Sequence, residues 1–339
     1  MAGKFPVDKV MQVLGAGREA QKGQGEPFSV AVWVDPESPR ALLEALRDAL
    51  LPEQATGLVE VRSLRAGFVE REGPTDAAVV VPGACREEAV EAVRAFTHRG
   101  TPVALVVESA VEAPDASLDE EHAALVEVVA ASEPAHAMER LAKWLVGATD
   151  KGIACAANFP FCREAEVRSL VTSCAISNAA VGSLSLVKGA DMPIMTANQA
   201  KLALDVAAAY GNGLDAMRAV EVAGVVGAGL AYRWVARVLS AALPGMGWLT
   251  KGAMGYVGTV ATGRALQLRF DAAEGKGRER MADLEATMAR ARARGEGLVS
   301  GLPGKVADVG GAGAHASTAD DFTADAGYIV IPAPSVREA

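Results

Sequence analysis

The sequence predicts an α/β domain with a mostly parallel sheet, followed by an all-α domain rich in Gly and Ala. Three observations predict this. Short apolar, β-branched runs alternate with helix-period segments through the first 150 residues. Charge is uneven: residues 1–150 carry 14 Lys+Arg against 25 Asp+Glu, a net of −11, and the remainder carries +2. Only ten charged residues occur among the 95 positions 169–263. Strands that alternate with helices need crossover connections, which give parallel pairing and a sheet covered on both faces.

The elements follow in order. Residues 1–25 read as a flexible polar arm with one short helix over 8–14. Gly15-Ala16-Gly17-Arg18-Glu19-Ala20 mimics a dinucleotide fingerprint, but a helix-like segment precedes it where the motif needs a strand. The α/β domain spans 26–150. Its first strand is 28–34 (FSVAVWV), ended by Asp35-Pro36, and a helix over 39–51 carries Leu42, Leu43, Leu46 and Leu50 at helical spacing. The segment 58–64 alternates with period two, as a half-buried or edge strand does. A buried strand over 76–81 ends at Pro82-Gly83. A helix over 86–97 follows, with Ala89, Val90, Val93 and Phe96 inward. Strands at 102–107 and 124–130 and a helix marked by Met138, Leu141, Trp144 and Leu145 complete the domain.

In such a sheet, ligands sit beyond the carboxyl ends of the strands, at a reversal of strand order. The residues available there are Asp35, Ser38, Arg40, Cys85 and Ser109. They offer carboxylate, hydroxyl, guanidinium and thiol groups beside helix N-termini with free N–H groups. The plainer reading is structural: Asp35 or Ser38 caps the helix that opens at Pro39.

The helical domain spans 151–272, with long helices over 163–187, 216–242 and 248–270. Asp191 and Pro193 precede Thr196-Ala197-Asn198-Gln199, which fits a capping box, with Pro193 stopping the element before it. That helix runs to Tyr210, and Gly211 suits the left-handed position after it. Asp215 is placed to cap the helix after that. Gly224, Gly227 and Gly229, then Gly252, Gly255, Gly258 and Gly263, permit close helix approach in a bundle or a membrane. These helices are marginal as spans, since a span needs about 20 mostly apolar residues. A polar helix over 273–295 and a disordered tail over 296–339, rich in Gly, Ala, Asp and Ser, end the chain.

Composition excludes several functions. A net charge of −9 argues against nucleic acid as a partner, because phosphate contacts need clustered Lys and Arg. Cys85, Cys155, Cys162 and Cys174 form no C-x-x-C pair, so neither a zinc site nor a disulfide framework is expected, and the compartment reads as reducing. No secretory leader is read at the start. His98, His122, His136 and His315 have no Cys or His partner close in sequence, and no nucleophile elbow occurs. No catalytic residue, metal or cofactor is expected.

Two resemblances add to this. The segment VAVWVDPESPRALLEAL resembles the first strand, phosphate loop and first helix of a GTPase, and TPVALVVES resembles the strand that carries guanine recognition. The motif residues are missing: Val34, Pro39, Arg40 and Ala41 stand at the Gly, Gly, Lys and Ser/Thr positions of G-x-x-x-x-G-K-[ST]. Glu108-Ser109-Ala110-Val111 replaces Asn-Lys-x-Asp. Such a descendant is expected not to bind GTP. Residues 165–270 resemble the helical domain of the YcjF-type, GTPase-associated membrane protein family. The blocks that carry this are Ser177-Asn178-Ala179-Ala180-Val181-Gly182, the run Gly189 to Gln199, Ala207-Ala208-Ala209-Tyr210-Gly211, and Gly258-Thr259 to Gly263.

The resemblance implies membrane association and a GTPase connection; with the lost phosphate-loop residues and the charge-poor second half, the expectation is a bacterial-type, non-catalytic, membrane-associated regulatory or adaptor protein. Its partner would be a protein, a GTPase being the implied class. Its place would be the cytoplasm, at or in the inner face of the cytoplasmic membrane. A soluble α/β enzyme or small-molecule binder using the strand-end loops is the alternative, and a self-assembling, homo-oligomeric structural protein is a third.

Overall fold

A computed structural model of the chain describes residues 7–69, 73–184, 191–212 and 247–275. All five expected strands form: β1 (Phe28–Val34), β2 (Gly57–Ser63), β3 (Ala77–Val81), β4 (Val103–Val107) and β5 (Val126–Ala130). They pair in parallel in one sheet of order β2-β1-β3-β4-β5. The inner strands β1, β3 and β4 are apolar almost throughout because both their faces are buried. The edge strands β2 and β5 are only partly buried, as the period-two pattern of 58–64 predicts.

One face of the sheet packs Phe28, Val30, Val32 and Val79 on Leu42 and Leu46 of α2 (Arg40–Ala49) and on Leu141 and Leu145 of α5 (Pro134–Ala148). The opposite face sets Trp33, Val80 and Leu105 against Ala89, Val93 and Phe96 of α3 (Arg86–His98). Between β2 and β3 the described residues include a 3₁₀ turn, Leu64–Ala66, after which Phe68 packs on this same core. Its ring lies 4.9 Å from Trp33 and 5.9 Å from Phe96. A short α4 (Glu120–Ala123) precedes β5. Strand order reverses between β1 and β3, so the sheet has its switch point there.

The N-terminal residues differ from the expected arm. They form α1 (Val7–Gln24), which packs through Ala16 and Ala20 on Ile153 of α6 (Gly152–Asn158) and on Leu204 and Ala208 of α8 (Asp191–Ala209). Its buried stripe is alanine, which carries little periodic hydrophobic signal. The Gly15–Ala20 run lies inside this helix, so it makes no phosphate loop.

After a 3₁₀ turn at Pro160–Cys162, α7 (Arg163–Leu184) runs beside α9 (Gly247–Ala273), with α8 against both. The core is small: Val167, Val171, Leu202, Val206 and Leu266. At Gly255 an added Cβ would stand 2.7 Å from the Asn178 carbonyl oxygen, so only glycine lets α9 approach α7 here. Polar side chains line the same seam. Asn178 Nδ2 donates to Thr259 Oγ1 (2.8 Å), and Asn198 Nδ2 donates to Asn178 Oδ1 (2.9 Å). At the domain junction, the buried Arg163 guanidinium bonds Glu53 and Glu274 at 2.5 Å each and lies over the Tyr210 ring.

The capping-box expectation is corrected. Helix α8 starts at Asp191, which places Thr196 in the interior of the helix. Pro193 is its third residue, in the first turn where a missing N–H breaks no intrahelical bond, so it does not stop the chain. The C-terminal expectation holds. Gly211 has φ +71°, its N–H reaches the Ala208 carbonyl (2.9 Å), and the Asn212 N–H reaches that of Ala207 (3.0 Å), a Schellman motif. The expected helix over 216–242, the cap at Asp215, Gly224, Gly227 and Gly229 lie outside the described residues. So do nearly all of the helix over 273–295 and the whole tail over 296–339.

Where α6, α7 and α8 meet, Glu166 is buried against Gly152 and near Asp205. Burial, and then the Asp205 carboxylate, push the Glu166 pKa up from 4.5 to about 7. The folded chain therefore binds that proton more tightly than the unfolded chain does. Stability falls as pH rises from the ordinary glutamate value to about 7, and this group changes nothing beyond that. Glu166→Gln is expected to raise the melting temperature at about pH 8 and leave it nearly unchanged at about pH 5. Thermal denaturation of both proteins at the two pH values checks this, and equal melting temperatures at the higher pH contradict it.

Candidate functional site

The switch point between β1 and β3 is built from three loops. The β1–β3 ladder continues one residue past β1, where the Asp35 N–H donates to the Val81 carbonyl (2.9 Å). This pins Asp35 at the strand end, and its side chain is wholly buried. Its Oδ1 accepts the Glu37 N–H (3.1 Å) and Arg65 Nε (3.0 Å), and its Oδ2 accepts the Ala84 N–H (2.8 Å). Arg65, just past β2, also pairs with Glu37 and roofs the carboxylate while staying half-exposed itself. The turn after β3 closes on the other side. Gly83 has φ +48°, and a Cβ on it would stand 2.5 Å from Asp35 Oδ2 and 2.6 Å from Ser38 Oγ. Only glycine lets this turn come down on the carboxylate.

The electrostatics agree with the packing. Burial alone raises the Asp35 pKa; the Glu37 and Ala84 N–H groups and Arg65 outweigh it and hold the carboxyl below its ordinary 3.8. Asp35 is thus a buried anion held by two backbone donors and one guanidinium. The neighbouring Cys85 is pushed the other way, by burial first and then by Asp35 and Glu88. It stays a thiol, which is a poor nucleophile.

Of the five expected strand-end residues, Asp35, Ser38 and Cys85 come together. Arg40 turns outward to Glu44, 2.7 Å away, and is 90% exposed. Ser109 is exposed, with its N–H on Glu112 Oε2 (3.3 Å) at the 3₁₀ turn Ala110–Glu112. The expectation that Asp35 or Ser38 caps α2 is corrected: Pro39 holds the N-cap position and no side chain bonds there. Asp35 is drawn to the β3 turn, and the buried Ser38 Oγ has no partner. Arg65 and Gly83 were missed. The available signal was that β2, parallel to β1 and beside it, must open its own end onto the same crevice.

The expected helical motif residues lie along α8 and just after it. Asp191 and Pro193 lie in the first turn of α8, with Thr196 further along it and Gln199 buried. The Tyr210 hydroxyl donates to Asp271 (2.7 Å), and its ring stacks on Phe270. The fold also gives two histidines the partner that sequence proximity denied them. His98 Nδ1 lies 3.2 Å from His122 Nε2, and His122 Nδ1 lies 2.5 Å from Asp119 Oδ1. Among the described residues, no three or more His, Cys, Asp and Glu side chains are grouped to hold a metal ion. A groove of about 740 Å³ runs along α3, lined by Arg86, Val90, Arg94, His98 and Pro114 among others.

Compared with protein-family models, curated proteins and solved structures, the chain matches none. What stands is an N-terminal α/β domain with a five-stranded parallel sheet, followed by helices α7–α9.

Two substitutions test the closed crevice. Asp35→Ala leaves the Ala84 and Glu37 N–H groups without their acceptor and is expected to cost about 1–3 kcal/mol. Gly83→Ala strains a left-handed turn and strikes Asp35 and Ser38, so it is expected to cost more than about 1 kcal/mol. Urea denaturation checks both; losses within about 0.5 kcal/mol of zero, as at plain surface sites, contradict the arrangement.

Proposed function

We propose that this chain is a non-catalytic regulatory or adaptor protein, linked to GTPase systems, whose nucleotide-domain-like module works through protein contacts. One observation carries the reading: the β1/β3 crevice, where doubly wound sheets seat their ligands, is occupied by the chain's own Asp35 carboxylate. In a phosphate loop, backbone N–H groups cradle the anion. Here the N–H groups of Glu37 and Ala84 already hold one, and an arriving phosphate would have to displace it against its charge. The residues at the phosphate-loop positions point the same way. Pro39 has no N–H to give, Arg40 faces solvent with Glu44, and Ala41 has no hydroxyl for Mg²⁺.

In this reading the helical half seats the module in an assembly or at a membrane surface. No described helix is long and apolar enough to cross a membrane. Asn178 and Asn198, from two of the blocks that resemble the YcjF-type domain, meet in one partly buried seam.

Isothermal titration of the intact chain with GTP and Mg²⁺ tests the proposal. No saturable heat is expected, and tight, Mg²⁺-dependent binding overturns it. The alternative, a soluble enzyme or small-molecule binder, draws on the unpartnered Ser38 Oγ. It predicts a small molecule whose saturable binding shifts the Ser38 and Ala84 amide resonances.

A further inference from the structure

The two edges of the sheet are finished differently. The Leu125 carbonyl faces β4, so by alternation Val128 and Ala130 turn theirs outward. Arg140 of α5 covers both, donating to Ala130 O at 2.7 Å and to Val128 O at 3.5 Å. At the other edge, the Thr56 carbonyl accepts the Phe28 N–H, so Leu58, Glu60 and Arg62 bond β1 while Val59, Val61 and Ser63 present their N–H and C=O groups outward. No side chain among the described residues bonds those outward groups. The side chains here are also apolar and open: Val61 is 63% exposed and Leu58 is 50% exposed. An unpaired edge of this kind is a template for another strand.

We propose that β2 pairs antiparallel with β2 of a second copy of this chain, with Val61 on the twofold axis, joining the two sheets into one. The register follows from charge. An antiparallel pairing through the outward groups can centre on Val59, Glu60, Val61 or Arg62, and centring on Val59 sets Glu60 opposite Leu58, which gains no opposite-charge pair. Centring on Glu60 sets it directly opposite its own copy, and centring on Arg62 does the same to arginine; like charges facing across a ladder are destabilising. Centring on Val61 sets Glu60 opposite Arg62 of the second copy, twice over. Glu60 and Arg62 already pair within one strand at 2.6 Å, so the four groups form one alternating cluster. On the other face, Val61 meets Val61. The isologous geometry closes as a dimer. The inference holds whether or not the β1/β3 crevice takes a ligand.

Sedimentation velocity on the full-length protein at micromolar concentrations tests it, and a dimer is expected. Glu60→Arg alone and Arg62→Glu alone each place like charges across the axis and are expected to weaken dimerisation at least tenfold. The double variant Glu60→Arg/Arg62→Glu restores the pairing and is expected to return the wild-type dissociation constant, which a general folding defect would not do. Val61→Cys is expected to give a disulfide-linked dimer under mild oxidation, at a level well above wild type with its four free cysteines. A monomer at every concentration overturns the proposal. So does a dimer that ignores both single charge changes.

Discussion

The Asp35 carboxylate is the constraint on which the strand-end face depends. A buried anion is costly unless donors surround it, and each donor here is supplied by a different loop: Glu37 after β1, Arg65 after β2, Ala84 after β3. Three connections that would otherwise stand apart are drawn to one point. Gly83 is required because the turn that brings the Ala84 N–H into place passes too close for any Cβ. The parallel sheet makes this possible, since only parallel neighbours open their ends on the same side. The crevice that the topology creates is filled by the groups that hold the topology together.

The helical half solves a different problem with the same economy of side-chain volume. With few large apolar residues, it gains contact by close approach, Gly255 of α9 lying against the Asn178 backbone of α7. Such proximity brings polar groups into the seam, and Asn178, Asn198 and Thr259 satisfy one another there. Arg163 then ties this half to the α/β domain through Glu53, and to the end of α9 through Glu274. A buried guanidinium between two carboxylates gives the junction direction as well as energy.

The sheet was legible in the sequence because β-branched runs such as 28–34 and 76–81 alternate with helix-period segments, and the crossovers this requires give a covered parallel sheet. Helix α1 was not legible, because alanine at 16 and 20 buries little area and leaves no strong periodic mark. Pro193 misled for a physical reason: it ends a helix in the interior and is tolerated in the first turn, and sequence does not say which turn it occupies. At the crevice, Asp35, Ser38 and Cys85 followed from the strand-end rule. Arg65 and Gly83 did not, since their roles depend on β2 lying beside β1 and on a backbone angle. Arg40 and Ser109 were placed at the right strand ends but face away, a matter of rotamer and local turn that spacing does not encode.

The most direct test of the closed crevice is a carbon-detected NMR titration of the Asp35 carboxyl carbon in the intact protein. A carboxylate held by Glu37, Ala84 and Arg65 should titrate below 3.8, with the amide resonances of Glu37 and Ala84 moving at the same pH. Its stabilising effect would then be complete above the ordinary aspartate value and vanish as pH falls through the lowered one. An Asp35 that titrates at or above 3.8, with those two amides unmoved, would mean that the crevice is open and the carboxylate free to meet a ligand.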